Sequence, residues 1–208
     1  MGNFVKVEHP LINTLVFKLR DRETSSEIFR KTLSNIAKIL LFEALKDEET
    51  VVKDVETPLE KTVYPTLIEE NFVIVAILRA GLPMLEGCLE VLPTAKSAFL
   101  GIKRDEETFQ STIYYKRVPD LTDKTVIVVD PMVATGGSIS LALDYIKSKN
   151  PKKIKSLHVI ASPMGIENIK KFEDVKFFVG EIDRGLNDRG YIVPGIGDAG
   201  DRSYNTED

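Results

Sequence analysis

The chain has 208 residues, a length at which a protein buries roughly 70% of the surface of its unfolded chain and holds a core without disulfides. Its 28 lysines and arginines against 32 aspartates and glutamates give a formal net charge of -4, which argues against a large nucleic-acid-binding surface. A single cysteine, Cys88, excludes an internal disulfide and, with no signal-peptide pattern at the start, predicts a cytoplasmic location.

The N-terminal part of the chain, residues 1–50, is predicted to be an arm followed by a helix over residues 24–46. Thr24 and Glu27 have the spacing of a capping box, and His9 is expected to pack within the arm. Apolar residues then recur at steps of three and four and form one stripe: Phe29, Leu33, Ile36, Leu40 and Ala44. Further apolar residues widen this stripe, which indicates burial on two sides, with a second subunit as one candidate cover: Ile28, Ile39, Leu41, Phe42 and Leu45.

From residue 72 onward, strands and helices alternate. The run Phe72–Leu78 is apolar throughout, which is typical of a strand covered on both faces, and it is too short to cross a membrane. The other predicted strands are 97–103, 125–129, 154–161 and 175–179, and the predicted helices are 83–91, 137–149 and 166–172. This order predicts an α/β fold, a mostly parallel central sheet flanked by helices, in a single domain over residues 1–208.

Residues 105–119 interrupt the alternation and are predicted to be a hairpin or a flap rather than a crossover helix. Tyr114, Tyr115, Lys116 and Arg117 could close over a site as a lid that excludes water. An arm that contacts a partner subunit is an equally good interpretation, and both can hold together.

Residues 130–138, here called the phosphate loop, carry the most informative pattern. An apolar strand runs into Asp130, a turn of small residues follows, and a helix begins. The backbone N–H groups of Gly136 and Gly137, the hydroxyls of Thr135 and Ser138, and the positive end of the helix dipole together predict a phosphate cradle. Asp130 is placed to accept hydrogen bonds from sugar hydroxyls. The alternative is a plain strand-to-helix turn with a serine N-cap.

Gly195, Gly197 and Gly200 match the spacing of a dinucleotide-binding fingerprint. We reject that interpretation because the fingerprint must open a helix within a βαβ unit, and only eight residues follow Gly200. The glycines instead predict a tight loop whose backbone approaches a ligand closely. A flexible C-terminal tail is the alternative.

Four segments, in chain order, resemble the type I phosphoribosyltransferases and, within them, the uracil phosphoribosyltransferase family. Pro131 replaces the second acid of the usual type I motif, a departure typical of the uracil enzymes. The segments are His9-Pro-Leu-Ile12, Ile77-Leu-Arg-Ala-Gly81, the phosphate loop, and Gly190-Tyr-Ile-Val-Pro-Gly-Ile-Gly-Asp-Ala-Gly-Asp-Arg202. The last of these, residues 190–202, is called the C-terminal loop below.

The resemblance implies a type I phosphoribosyltransferase fold and transfer of the 5-phosphoribosyl group from phosphoribosyl diphosphate (PRPP) to N1 of uracil, giving UMP and diphosphate. It implies four catalytic residues: Arg79, Arg104, Asp130 and Asp198. Each arginine has a surface ion pair as its alternative role. PRPP contacts are implied for Arg79, Ala80, Gly81, Arg104, Asp130, Pro131, Met132, Val133, Ala134, Thr135, Gly136, Gly137, Ser138 and Asp198. Uracil contacts, within residues 180–208, are implied for Ile192, Gly197, Asp198 and Ala199.

The substrate implies Mg²⁺, bound through PRPP, and no metal site made by protein side chains alone is expected. His158 lies within an apolar strand and is expected to be a satisfied core residue. The resemblance also implies a non-proline cis peptide in the loop that holds Arg79, a homodimer or larger assembly, and a possible GTP effector. No nucleic acid and no membrane are expected as partners.

Two other functions are compatible with this fold. A purine phosphoribosyltransferase is disfavoured by the proline-and-glycine C-terminal loop, where purine enzymes typically carry an aromatic-bearing hood. A regulatory protein that keeps the fold to sense nucleotides and bind RNA would need a basic face. That function is disfavoured because the chain is net acidic and has no run of lysine and arginine.

Overall fold

The main feature of the fold is a twisted central sheet, seen in a computed structural model that describes residues 3–104 and 111–206. The strands are β1 Phe4–Lys6, β2 Val51–Glu56, β3 Lys61–Thr66, β4 Phe72–Leu78, β5 Lys96–Arg104, β6 Ser111–Arg117, β7 Thr125–Val129, β8 Met132–Val133, β9 Lys153–Ala161, β10 Val175–Ile182, β11 Gly185–Leu186 and β12 Ile192–Val193. The α-helices are α1 Pro10–Arg20, α2 Ser26–Ala44, α3 Leu82–Val91, α4 Gly137–Lys147, α5 Pro163–Ile169 and α6 Ala199–Tyr204.

Among the described residues, eight strands form this sheet in the order β1-β10-β9-β7-β4-β5-β6, with β8 beside β9. All its neighbouring strands run parallel except β6, which is antiparallel to β5. The predicted mostly parallel sheet is therefore confirmed. The described part of residues 105–119 is a hairpin strand and not a crossover helix, while residues 105–110 lie outside the described residues and the flap role stays a prediction.

Helices cover both faces of the sheet. Successive side chains of β4 alternate between the two cores: Ile74 and Ala76 pack with α1, α2 and α3, while Val73, Val75 and Ile77 pack with α4 and α5. This double burial explains why the strand is apolar at every position.

Helix α2 follows its predicted stripe, because Phe29, Leu33, Ile36, Leu40 and Ala44 are fully buried, as is Leu41. Of the residues expected to widen the stripe, Ile28 and Phe42 remain exposed in the single chain. The predicted cap was one residue too early. Ser25 is the N-cap and accepts from the Ile28 amide, whereas the Thr24 hydroxyl donates to the Lys18 carbonyl at 2.7 Å.

The N-terminal arm is not separate from the sheet, because β1 pairs with β10 at its edge and α1 packs over one face. Helix α1 was missed, although Pro10 at its start and buried Ile12, Leu15, Val16 and Leu19 carry the helical spacing. His9 does not pack within the arm. It is exposed and caps α1, its Nδ1 accepting from the Leu11 amide at 3.0 Å.

Strands β2 and β3 were not predicted from the sequence, and helix α5 was predicted with later bounds. Strands β2 and β3 form an antiparallel hairpin that is exposed along its whole length. Helix α5 begins at Pro163, three residues before the predicted start, because the Ser162 hydroxyl caps it by accepting from the Gly165 amide at 2.9 Å. Within the described part of the chain, no helix has both the length and the apolar composition needed to span a bilayer.

Candidate active site

A cleft of about 980 Å³ lies at the carboxyl ends of β4, β5 and β7. Its walls come from the ends of β4 and β5, the phosphate loop, and the C-terminal loop. This is the edge at which parallel α/β sheets place their ligands, since the loops after adjacent strands converge there.

The phosphate loop ends in an open helix N-terminus. Gly136 occupies the N-cap position of α4 with φ of 80°, and no side chain of the described residues caps the helix. The serine-capped turn is therefore wrong. The first amides of a helix have no intrahelical acceptor, so those of α4 are available to an anion in the cleft.

The carbonyl groups of the phosphate loop are bound from the opposite side, by β9 and α5. Ser162 donates its amide to the Val133 carbonyl at 3.0 Å and its hydroxyl to the Ala134 carbonyl at 2.5 Å. The side-chain amide of Asn168 donates to the Thr135 carbonyl at 2.9 Å. A Cβ atom on Gly165 would lie 2.5 Å from the Val133 and Ala134 carbonyl oxygens, so this helix approaches the loop as closely as glycine allows. The loop conformation thus depends on α5.

Asp130 lies at the base of the cleft and is almost fully buried. Burial raises the pKa of its carboxyl group to about 7, the neighbouring Asp198 adds to the rise, and a hydrogen bond from the Met132 amide opposes it. The group can thus change charge near neutral pH, at a position that lines the cleft.

His158 supports Asp130 from within the sheet. Its Nδ1 donates to the Asp130 carbonyl at 2.7 Å, and its Nε2 lies 2.8 Å from the Ser156 hydroxyl. Burial lowers the pKa of His158 to about 4, so the ring is neutral at physiological pH. The prediction of a satisfied core histidine is confirmed.

Arg79 lines the cleft from the loop after β4, next to a cis Leu78–Arg79 peptide bond. Its guanidinium donates to Asp201 at 2.7 Å and to the Thr206 hydroxyl at 2.9 Å, and the side chain is half exposed. Arg79 therefore forms an ion pair and also lines the cleft. The amide of Gly81 is not free for a ligand, since it donates to the Ile77 carbonyl at 2.8 Å.

The C-terminal loop is ordered and packed, so the flexible-tail alternative is wrong. It holds a cis Val193–Pro194 bond, and Gly195 and Gly197 have φ of 67° and 76°. The expectation that too few residues remained for a helix was also wrong. The six-residue α6 begins at Ala199, and the Asp198 side chain caps it by accepting from the Asp201 amide at 2.9 Å. A βαβ unit does not surround it, so the rejection of a dinucleotide fingerprint stands.

The cleft gathers most of the predicted site residues: Arg79, Ala80, Asp130, Met132, Val133, Ala134, Thr135, Gly136, Gly137, Ser138, Ile192 and Asp198. The predicted residues that do not line it are Gly81, Pro131, Gly197 and Ala199. Pro131 instead accepts two backbone hydrogen bonds from β9, and Ala199 is fully buried. The side chain of Arg104 lies outside the described residues.

Sequence reasoning missed several lining residues, namely Ile77, Leu78, Ile102, Lys103, Ile139, Asp188, Arg189, Gly190 and Tyr191. It assigned Tyr114 only to the flap, and it expected close backbone approach to a ligand at Gly200, which does line the cleft. The available signal was their position at the ends of β4 and β5, in the first turn of α4, and in or just before the C-terminal loop. Among the described residues, no three His, Cys, Asp or Glu side chains are grouped so that they could hold a metal ion.

Comparisons with known proteins agree with this geometry. A family model described as uracil phosphoribosyltransferase matches residues 5–206. A protein of Aquifex aeolicus with that name is 50% identical over 201 residues, covering 96% of this chain and 97% of the relative. A Finegoldia magna protein of the same name is 44% identical over 209 residues, covering 100% of both. A solved structure of an Aquifex aeolicus protein matches with a TM-score of 0.95 at 49% identity, covering 98% of this chain and 99% of that one.

The family match extends over almost the whole chain, and the relatives are similar from end to end. The cleft, the uncapped phosphate loop and the cis-proline C-terminal loop belong to one continuous match. The chain belongs to the uracil phosphoribosyltransferase family.

Proposed function

We propose that the protein transfers the 5-phosphoribosyl group of PRPP to N1 of uracil in this cleft. The bond between ribose C1 and diphosphate breaks, the bond between C1 and N1 forms, and UMP, diphosphate and the N1 proton are released. The observation that carries the proposal is the uncapped N-terminus of α4 facing Asp130 and the C-terminal loop across one cleft.

The phosphate loop is the proposed binding site for the 5′-phosphate. The amides at the start of α4 donate to the phosphate oxygens, and Thr135 and Ser138 add hydroxyl donors from the cleft wall. Asp130, in its ionised form, accepts from the ribose hydroxyls. These contacts hold C1 in place for attack, which is the larger part of catalysis when charge develops on the ribosyl carbon.

The departing diphosphate is proposed to bind Arg79 and Arg104, with the loop at Ala80. Guanidinium groups suit this role because they present several donors in one plane to phosphate oxygens. Arg79 is already held over the cleft by Asp201, so diphosphate would compete with that carboxylate for the same donors.

Uracil is proposed to bind against the C-terminal loop at Ile192 and Asp198, which line the cleft. Of the other two residues that the resemblance implied, Gly197 does not line it and Ala199 is fully buried. Backbone donors and acceptors in a rigid loop read the edge of a planar base in fixed order. Cytosine would leave its exocyclic amine facing a donor, and the unpaired buried group would disfavour it strongly.

Mg²⁺ is proposed to enter with PRPP, bound mainly to its phosphates. The residues fit such an ion, because Asp130 and Asp198 both line the cleft and the second raises the pKa of the first. A divalent cation neutralises part of the diphosphate charge when bound. Asp130 and Asp198 are the carboxylates of this chain that would meet it.

Self-association is proposed from exposed apolar side chains of the single chain. Phe17 and Phe42 are 72% and 71% exposed, and the β2–β3 hairpin exposes Val52 and Tyr64. A GTP effector and a cytoplasmic location stay predictions.

The test is a spectroscopic assay of UMP formation from uracil and PRPP with Mg²⁺, with orotate, cytosine and hypoxanthine as alternative bases. We expect UMP from uracil alone. Gly136→Val should reduce turnover by about a hundredfold or more, because the residue has positive φ and orients the anion-binding amides. Its melting temperature is recorded beside wild type. Phosphoribosylation of hypoxanthine would instead favour a purine enzyme, and full activity in folded Gly136→Val would refute the proposed cradle.

A further inference from the structure

A partly buried ion pair outside the cleft holds the C-terminal loop. Asp183 follows β10 and is 5% exposed, and Arg20 is the last residue of α1. Arg20 Nη1 donates to Asp183 Oδ2 at 3.0 Å, and Arg20 Nη2 donates to Asp183 Oδ1 at 2.5 Å. The pairing is therefore bidentate, which fixes the orientation of both side chains.

Both partners of this pair also bind the backbone of Gly195. The Gly195 amide donates to Asp183 Oδ2 at 2.8 Å, and Arg20 Nη1 donates to the Gly195 carbonyl at 3.0 Å. The amide and the carbonyl of one residue are thus held by opposite charges. We call this set of contacts, between Arg20, Asp183 and Gly195, the Gly195 clamp.

The residue held by the Gly195 clamp lies at a tight turn of the C-terminal loop. Gly195 follows the cis Val193–Pro194 bond, is buried, and has φ of 67°. A Cβ atom here would lie 2.1 Å from the Ile192 carbonyl oxygen, so the turn folds directly back on Ile192. Ile192 lines the cleft, whereas Arg20 and Asp183 do not.

We propose that Arg20 and Asp183 are positioning residues that set the geometry of the C-terminal loop through the Gly195 clamp, and thereby the affinity for uracil. The inference rests on the proposed function, since it concerns the base that the same cleft takes. Neither side chain contacts the cleft, so their effect passes through the backbone of residues 192–195. Their loss should change binding of the base and leave binding of PRPP almost unaltered.

The experiment measures KM for uracil, KM for PRPP and kcat in Arg20→Gln and Asp183→Asn. We expect KM for uracil to rise about tenfold in each variant, with KM for PRPP changed less than about twofold. Arg20→Lys keeps the charge but not the planar fork, so it should restore part of the uracil affinity.

Lys155→Gln is the matched control. Lys155 is 3% exposed, lies on β9, and binds Asp47 and the Ala44 carbonyl, each at 2.5 Å, away from the cleft. Its loss also breaks an ion pair that has one buried member, so the melting temperature should fall while KM for uracil stays at the wild-type value. If Arg20→Gln does not fold, Arg20→Lys and Asp183→Asn supply the comparison.

Four outcomes overturn the inference, and the first three leave the proposed function standing. An unchanged KM for uracil in the clamp variants would do so, and so would an equal rise in KM for both substrates. A rise in KM for uracil in Lys155→Gln as large as in the clamp variants would assign the effect to stability alone. A wild type that forms no UMP overturns the proposed function and this inference together, so the two failures are distinguishable.

Discussion

The two loops that face each other across the cleft are held in different ways. The phosphate loop is held by neighbours close in the chain, since Ser162, Gly165 and Asn168 lie within about 40 residues of it. The C-terminal loop is held by α1, from the other end of the chain: Arg20 binds Gly195, and Arg202 binds the Asp21 carbonyl at 2.5 Å. The proposed phosphate site is thus supported by contacts that span fewer residues of the chain. The proposed base site depends on contacts between opposite ends of the chain.

The largest expected effect comes from breaking the support of the phosphate loop alone. In Gly165→Ala the new Cβ would meet the Val133 and Ala134 carbonyls at 2.5 Å, so α5 or the loop must shift. Since a displacement of about 1 Å can cost a hundredfold in rate, we expect kcat/KM for PRPP to fall about a hundredfold. Steady-state kinetics with varied PRPP measure this.

Gly185→Ala is the control for that variant, because a Cβ there meets nothing within 4 Å among the described residues. Its kinetics should match wild type. A Gly165→Ala enzyme with normal kcat/KM would contradict the dependence of the phosphate loop on α5.

A smaller effect is expected in the pH dependence of kcat/KM for PRPP. With a pKa of about 7 in the free enzyme, Asp130 is protonated below that value and cannot accept as a carboxylate. We expect kcat/KM for PRPP to fall by about tenfold per pH unit well below pH 7. The His158 pKa of about 4 places it outside this range. In Asp130→Asn, kcat/KM for PRPP should be lower than in wild type and should not decline further below pH 7, while KM for uracil should match wild type. An unaltered decline below pH 7 would assign the titration to another group.

The smallest expected effect is on stability. The folded pKa of Asp130 is raised above its ordinary 3.8, so the folded state holds its proton where the unfolded state has lost it. The contribution of this group to folding is therefore most favourable below about pH 4 and declines as pH rises to about 7. Asp130→Asn should become more stable relative to wild type over this range, by on the order of 1–4 kcal/mol at pH 8. Urea unfolding at pH 5 and pH 8 measures the difference; a gap that does not grow with pH contradicts the raised pKa.

Much of the sheet could be predicted because its signals are local. Strands β4 and β7 have the predicted bounds, since an uninterrupted apolar run marks where a strand covered on both faces begins and ends. The missed β2–β3 hairpin has every residue exposed, so burial imposed no periodic pattern on its sequence. Helix α6 was missed because its short length leaves no room for an apolar repeat.

The candidate site likewise has one part that local sequence signals predicted and one part that they did not. The phosphate loop was predicted because a strand, a turn and a helix N-terminus follow one another in the chain, and local backbone geometry creates their anion-binding amides. The Gly195 clamp was not predicted, because Arg20 and Asp183 are separated by 163 positions and neither has a distinctive local pattern. The amino-acid sequence alone was enough to predict five parallel strands of the central sheet, the position of the phosphate loop and the family resemblance. Only the tertiary structure brought α1 to the C-terminal loop, since long-range pairing of charges depends on how the layers pack and not on any spacing along the chain.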